Sequence, residues 1–158
     1  MHSTASPRAI DLNETVRSVL GQKRHALWSL SPDASVYEAI EIMPERHIGA
    51  LVVLSAGHLV GIITERDYAR KVILKARQSR ATKVHEIMTA PVLFVTPEQT
   101  IGQCMYVMSS RQIRYLPVLE ADRVIGIVSI GDLVNWIIGA QDDTIRHLHN
   151  YITGSYPA

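Results

Sequence analysis

A chain of 158 residues holds one domain or two small ones, and a hydrophobic content of 47% is enough for a real core. A net charge of +1 supplies no basic face for nucleic acid or an anionic membrane. The single cysteine, Cys104, excludes an internal disulfide framework; with no secretory signal and no run long enough to cross a bilayer, the expected location is the cytoplasm.

In chain order, residues 1–11 read as a flexible tail. Asn13 is expected to cap a short helix through Leu20, stopped by Gly21, with Lys23 and Arg24 in the loop after it. A short strand is expected over 26–30, then a Ser31-Pro32-Asp33 turn, then a helix over 36–46 capped by Ser35. Strands follow over 50–54 and 59–63, and Thr64 starts a helix to about residue 76. Residues 77–83 are polar and basic and read as a linker. The series then returns: a helical turn over 84–88, a strand over 92–95, and a helix over 101–111 capped by Thr100. Strands over 115–119 and 123–128 precede a helix over 130–138. Gly139 is read as its breaker, and residues 140–158 as a C-terminal helix, over 141–153, with a tail.

The return is a duplication. Residues 29–73 align with residues 94–138 without a gap at an offset of 65, and 12 of the 45 pairs are identical, against roughly three for unrelated segments. Pro32/Pro97, Met43/Met108, Arg46/Arg111, Leu51/Leu116, Val53/Val118, Gly61/Gly126 and Asp67/Asp132 are among them. The units are 12–76, with the leading helix, and 84–139. Each reads as strand–helix–strand–strand–helix. One such unit cannot cover both faces of its sheet, so the fold class is α/β, with duplicated βαββα repeats packed about a pseudo-two-fold axis.

The chemistry sits in Gly61-Ile62-Ile63-Thr64-Glu65-Arg66-Asp67 and its repeat Gly126-Ile127-Val128-Ser129-Ile130-Gly131-Asp132. The plain reading of Thr64-x-x-Asp67 and Ser129-x-x-Asp132 is a capping box at a helix start. The functional reading uses the same geometry: a helix N-terminus suits phosphate, and a carboxylate there can accept the protons of a ribose diol. Recurrence at the same place in both units favours the second reading.

Ser31-Pro32-Asp33-Ala34-Ser35-Val36, Arg46-His47-Ile48-Gly49-Ala50-Leu51-Val52-Val53, Arg111-Gln112-Ile113-Arg114-Tyr115-Leu116-Pro117-Val118 and the two Gly-to-Asp motifs, in order and twice over, resemble a tandem pair of CBS (cystathionine β-synthase) domains, a Bateman module. The chain looks most like the stand-alone bacterial CBS-pair proteins. The resemblance implies a non-catalytic regulatory module that binds adenosine-containing ligands (AMP, ADP, ATP or NAD) in two clefts between the repeats, forms a homodimer, and acts on an effector protein that the sequence does not name. It implies one site from Ser129, Asp132, Arg114 and Tyr115 with Lys23, Trp28, Ile48 and Gly49. It implies another from Thr64, Arg66 and Asp67 with Gly49, Ala50, Met88, Leu93, Arg114 and Tyr115.

The sites are expected to differ. Arg66 answers to Gly131, and the offset of 65 pairs Lys23 with Met88, so each site has a cation that the other lacks. Simpler readings stand beside these: Trp28 as core, Arg66 and Lys23 as solvated charges, Arg114 and Tyr115 as a surface pair, Met43, Met105 and Met108 as helix core. The histidines show no metal-ligand spacing. The rival functions are a nucleic-acid-binding module, a ligand-free dimerisation scaffold and an enzyme.

Overall fold

The computed structural model describes residues 10–23 and 26–140. Its elements are α1 (Val16–Gln22), β1 (Ser29–Leu30), α2 (Val36–Glu45), β2 (Ala50–Ser55), β3 (His58–Thr64), α3 (Glu65–Tyr68), a π turn (Ala69–Ile73), a 3-10 turn (Ser79–Ala81), α4 (Val84–Ile87), α5 (Ile101–Arg111), β4 (Tyr115–Glu120), β5 (Arg123–Ser129) and α6 (Ile130–Ala140). Strands β1, β2 and β3 form one sheet, with β1 parallel to β2 and β2–β3 an antiparallel hairpin; β4 and β5 form a second hairpin. This is the expected α/β duplication.

The repeat extends to backbone detail. Helices α2 and α5 both end at a left-handed residue, His47 (φ 55°) and Gln112 (φ 54°). Both hairpins turn through two residues of positive φ, Ala56-Gly57 and Ala121-Asp122, which suits the right-handed twist of the strands they join. Both carry a bulge one register from the turn, at Val53/Leu54 and Val118/Leu119. All these pairs stand 65 residues apart.

Each half has its own core. Val36, Ala39, Met43, Leu51, Val53 and Ile63 fill the first; Ile101, Cys104, Met108, Leu116, Val118 and Val128 fill the same positions in the second. The leading helices are exchanged. Val16 and Val19 of α1 bury in the second core, and Val84 and Ile87 of α4 bury in the first. Backbone bonds pin the exchange: Val16 N–H donates to Gln99 O and Val84 N–H to Ala34 O; Ile101 N–H donates to Glu14 O and Val36 N–H to Thr82 O. Among α1 and α4 residues the offset is therefore 68, not 65.

Several expected elements differ. Thr15, not Asn13, caps α1 by accepting from Ser18 N–H, because this register puts Val16 and Val19 in the core. Gly21 lies inside α1, and Gly139 inside α6. The strand over 26–30 shrinks to Ser29–Leu30, and the one over 92–95 to a single parallel bridge between Val95 and Val118. The cause is the same in both halves: the residues just before leave the ladder to wall a cleft. The helix from Thr64 widens into the π turn after Tyr68, with Leu74 N–H donating to Ala69 O, and ends before Arg77. Residues 1–9, Arg24 and the expected helix over 141–153 lie outside the described residues.

Candidate functional site

Two clefts open where the halves meet, of about 380 and 300 Å³. Gly49, Arg114 and Tyr115 line both. Gly49 is needed because a Cβ there would stand 2.1 Å from the Tyr115 hydroxyl oxygen. Tyr115 thus forms a shared wall at the pseudo-two-fold axis. Burial, with the nearby Glu65 carboxylate, pushes its phenol above its ordinary value, so it remains a neutral donor.

The first cleft brings together Lys23, Trp28, Ile48, Gly49, Ala50, Arg114, Tyr115, Ser129 and Asp132. Ala50, expected at the other site, faces this one. Asp132 and Ser129 make a reciprocal cap: Ser129 N–H donates to Asp132 Oδ2 at 2.8 Å, and Asp132 N–H donates to Ser129 Oγ at 3.0 Å. The Lys23 ammonium donates to the same Oδ2 at 2.7 Å and to Ile127 O at 2.7 Å. Asp132 Oδ1 accepts no hydrogen bond from the described residues. Trp28 packs on the first core, and the Arg46 guanidinium carbon lies 4.2 Å from its ring centroid. Trp28 thus touches the first core and also lines the cleft.

The second cleft is lined by Thr64, Arg66, Leu93, Arg114 and Tyr115, as expected, with Ile62, Glu65, Thr89, Pro91, Val92 and Ile113 added. Asp67 and Met88 are not on its wall. Met88 lies beneath β3, where a Cβ on Gly61 would come 2.4 Å from its sulfur; Leu20 fills the same place against Gly126. Leu20 is thus the structural counterpart of Met88, and Lys23 answers to Pro91. The pairing of Lys23 with Met88 is corrected because the exchanged helices follow the offset of 68.

Asp67 is 7% exposed and fully engaged. Its Oδ2 accepts from Thr64 N–H (3.0 Å) and Thr64 Oγ1 (3.1 Å). Its Oδ1 accepts from Thr89 Oγ1 (3.0 Å) and pairs with Lys71 Nζ (2.9 Å), which also donates to Ile87 O. Lys71, four residues after Asp67 on a helical pattern, was visible as a partner by spacing. Thr89 was not, since a tertiary bridge between Thr89 and Ile62 brings it there.

The family model of the CBS domain matches residues 11–74 and 84–139. The CBS domain-containing protein CBSX3 of Arabidopsis thaliana, named as mitochondrial, is 42% identical over 135 residues, 82% of this chain and 65% of that protein; the chain thus spans under two thirds of that relative. The CBS domain-containing protein YhcV of Bacillus subtilis is 31% identical over 105 residues, 66% of this chain and 74% of that one. A solved CBS-domain protein of Burkholderia ambifaria MC40-6 superposes with a TM-score of 0.77 at 45% identity, covering 79% of this chain and 94% of that chain. One from Agrobacterium tumefaciens gives 0.73 at 34%, covering 78% and 93%. With both repeats matched and their fold shared, the chain belongs to the CBS-domain family, as a tandem pair of CBS domains.

Proposed function

We propose that this module senses an adenosine-containing nucleotide (AMP, ADP, ATP or NAD) in the first cleft and signals by a change in conformation or assembly. CBS pairs are regulatory modules, and CBS domains generally bind adenosine ligands. One observation carries the reading for this chain: Asp132 has a carboxylate oxygen that no described residue engages, at a cleft that also holds Lys23, Arg114 and Trp28. A ribose diol donates to Asp132, phosphate meets Lys23, and the base lies against Trp28 and Ile48. Because Lys23 is paired with Asp132 before binding, the ligand shifts the ammonium from carboxylate to phosphate. That differential contact is what moves an equilibrium.

Calorimetric titration with AMP, ADP, ATP and NAD tests this. Saturable binding by one of them, weakened at least about tenfold by Asp132→Asn and by Lys23→Gln, is expected. Folded protein that binds none favours the scaffold reading, in which both aspartates are helix caps. Nucleotide turnover lost with Asp132→Asn would overturn the non-catalytic assignment. Salt-sensitive retention on an oligonucleotide column would revive the nucleic-acid reading.

The homodimer is proposed on an exposed apolar feature that the repeat itself duplicates: Ile73 (59% exposed, with Leu74 beside it at 76%) and its counterpart Ile138 (40%). The effector is another protein that reads the changed surface. The cytoplasm remains the proposed location, on the strength of the one buried thiol and a reducing environment. No described helix is long and apolar enough to cross a membrane.

A further inference from the structure

We infer that the second cleft receives a small apolar anion, an aromatic or aliphatic body with a single acidic head, and not a nucleoside. The related positions in the two clefts make the contrast. At the first, one oxygen of Asp132 is engaged by no described residue, and the side chain lines the opening. At the second, both oxygens of Asp67 are taken by Thr64, Thr89 and Lys71, and the side chain lies behind the wall. A ribose diol there would have to displace three hydrogen bonds from Thr64 and Thr89, and the pairing with half-exposed Lys71, at a carboxylate that is itself buried. No other carboxylate takes Asp67's place at the helix start. Glu65 lines the cleft, but it stands two residues earlier, beside the Tyr115 phenol.

What the cleft does offer is an apolar lining with cations at its rim. Ile62, Pro91, Val92, Leu93 and Ile113 supply the apolar surface, and Leu93 is 45% exposed. Arg66 and Arg114 supply two guanidiniums. Arg66 donates to Gln112 O at 2.9 Å and keeps its other N–H groups; Arg114 makes no side-chain hydrogen bond or ion pair among the described residues. Two guanidiniums against one Glu65 leave one net positive charge, which matches one acidic head. The volume of about 300 Å³ suits a body of one or two rings. Proline at position 91, where the first cleft has Lys23, removes the ammonium that a nucleotide phosphate would have met.

The experiment is calorimetric titration of the full chain with 2-naphthoate and with its neutral amide, 2-naphthamide. Naphthoate is expected to bind at one site per chain. Arg66→Gln should weaken it about tenfold and change the amide little. Leu93→Asp, at a position 45% exposed and outside both cores, should abolish both. Asp132→Asn should change neither, and AMP should not displace naphthoate. Naphthoate binding that is absent, unaffected by Leu93→Asp, or displaced by AMP overturns the inference. So does nucleotide binding at two sites per chain, with one site lost in Arg66→Gln. Failure of the nucleotide reading shows itself separately, as no AMP, ADP, ATP or NAD binding with naphthoate binding intact.

Discussion

Asp67 and Asp132 hold the same place in sequence and do different work in the fold. Asp67→Ala is expected to destabilise by about 2–3 kcal/mol, because it leaves the Thr64 N–H and the Thr64 and Thr89 hydroxyls without their buried acceptor. Asp132→Ala, at an open cleft and with Lys23 still bonded to Ile127 O, should cost about 1 kcal/mol, the scale of a lost cap. Chemical denaturation of the two variants tests the ranking; equal losses would remove the contrast on which the division of the clefts rests. Cys104 gives a pH signature. Burial pushes its thiol up to about 11. A thiol whose folded value lies above its unfolded one of about 8.5 stabilises fully below that pH and progressively loses the contribution as pH rises towards 11. Stability should therefore fall through that window by on the order of 2 kcal/mol, less in Cys104→Ala, and iodoacetamide should label the thiol only on unfolding.

At the scale of elements, the two hairpins and the exchanged helices decide the architecture. In the second hairpin Ala121 and Asp122 hold φ of 49° and 61°, where a Cβ is unfavourable. Replacing the pair by Asn-Gly should raise stability by about 1 kcal/mol, read as a higher melting temperature. The exchange rests on close approach: Met88 covers Gly61, and Leu20 covers Gly126. Gly61→Ala should cost about 1–3 kcal/mol by overpacking, and Met88→Ala should recover part of it in a double-mutant cycle. Additive losses would mean that the α4–β3 packing does not set the position of the helix. Position matters because residues 89–93, directly after α4, wall the second cleft, and Lys23, directly after α1, closes the first.

For the whole molecule, two cores joined by exchanged helices make each half dependent on the other. Neither half keeps its full core if the chain is cut in the linker. The duplicated apolar feature of Ile73 and Ile138 lies outside both cores. Sedimentation is expected to show the parent chain as a dimer and Ile73→Asp as a monomer. An unchanged sedimentation coefficient would move the interface elsewhere.

The sequence alone determined the duplication and the α/β class, because these follow from local signals, while the residues expected at the clefts followed from the resemblance to CBS pairs. Hydrophobic alternation, caps and an offset of 65 repeat where each half meets the same physical demands. Thr64-x-x-Asp67 and Ser129-x-x-Asp132 are legible as helix starts for the same reason. What only the tertiary structure decided is whatever depends on packing between segments far apart in the chain. A constant offset could not show that α1 and α4 change places, so it paired Lys23 with Met88 when packing pairs Leu20 with Met88. Nor could it show that Thr89, brought in by its bridge to Ile62, reaches Asp67. Two aspartates with the same local pattern differ because neighbours brought by the fold, not the motif, decide which carboxylate is left with an oxygen to offer.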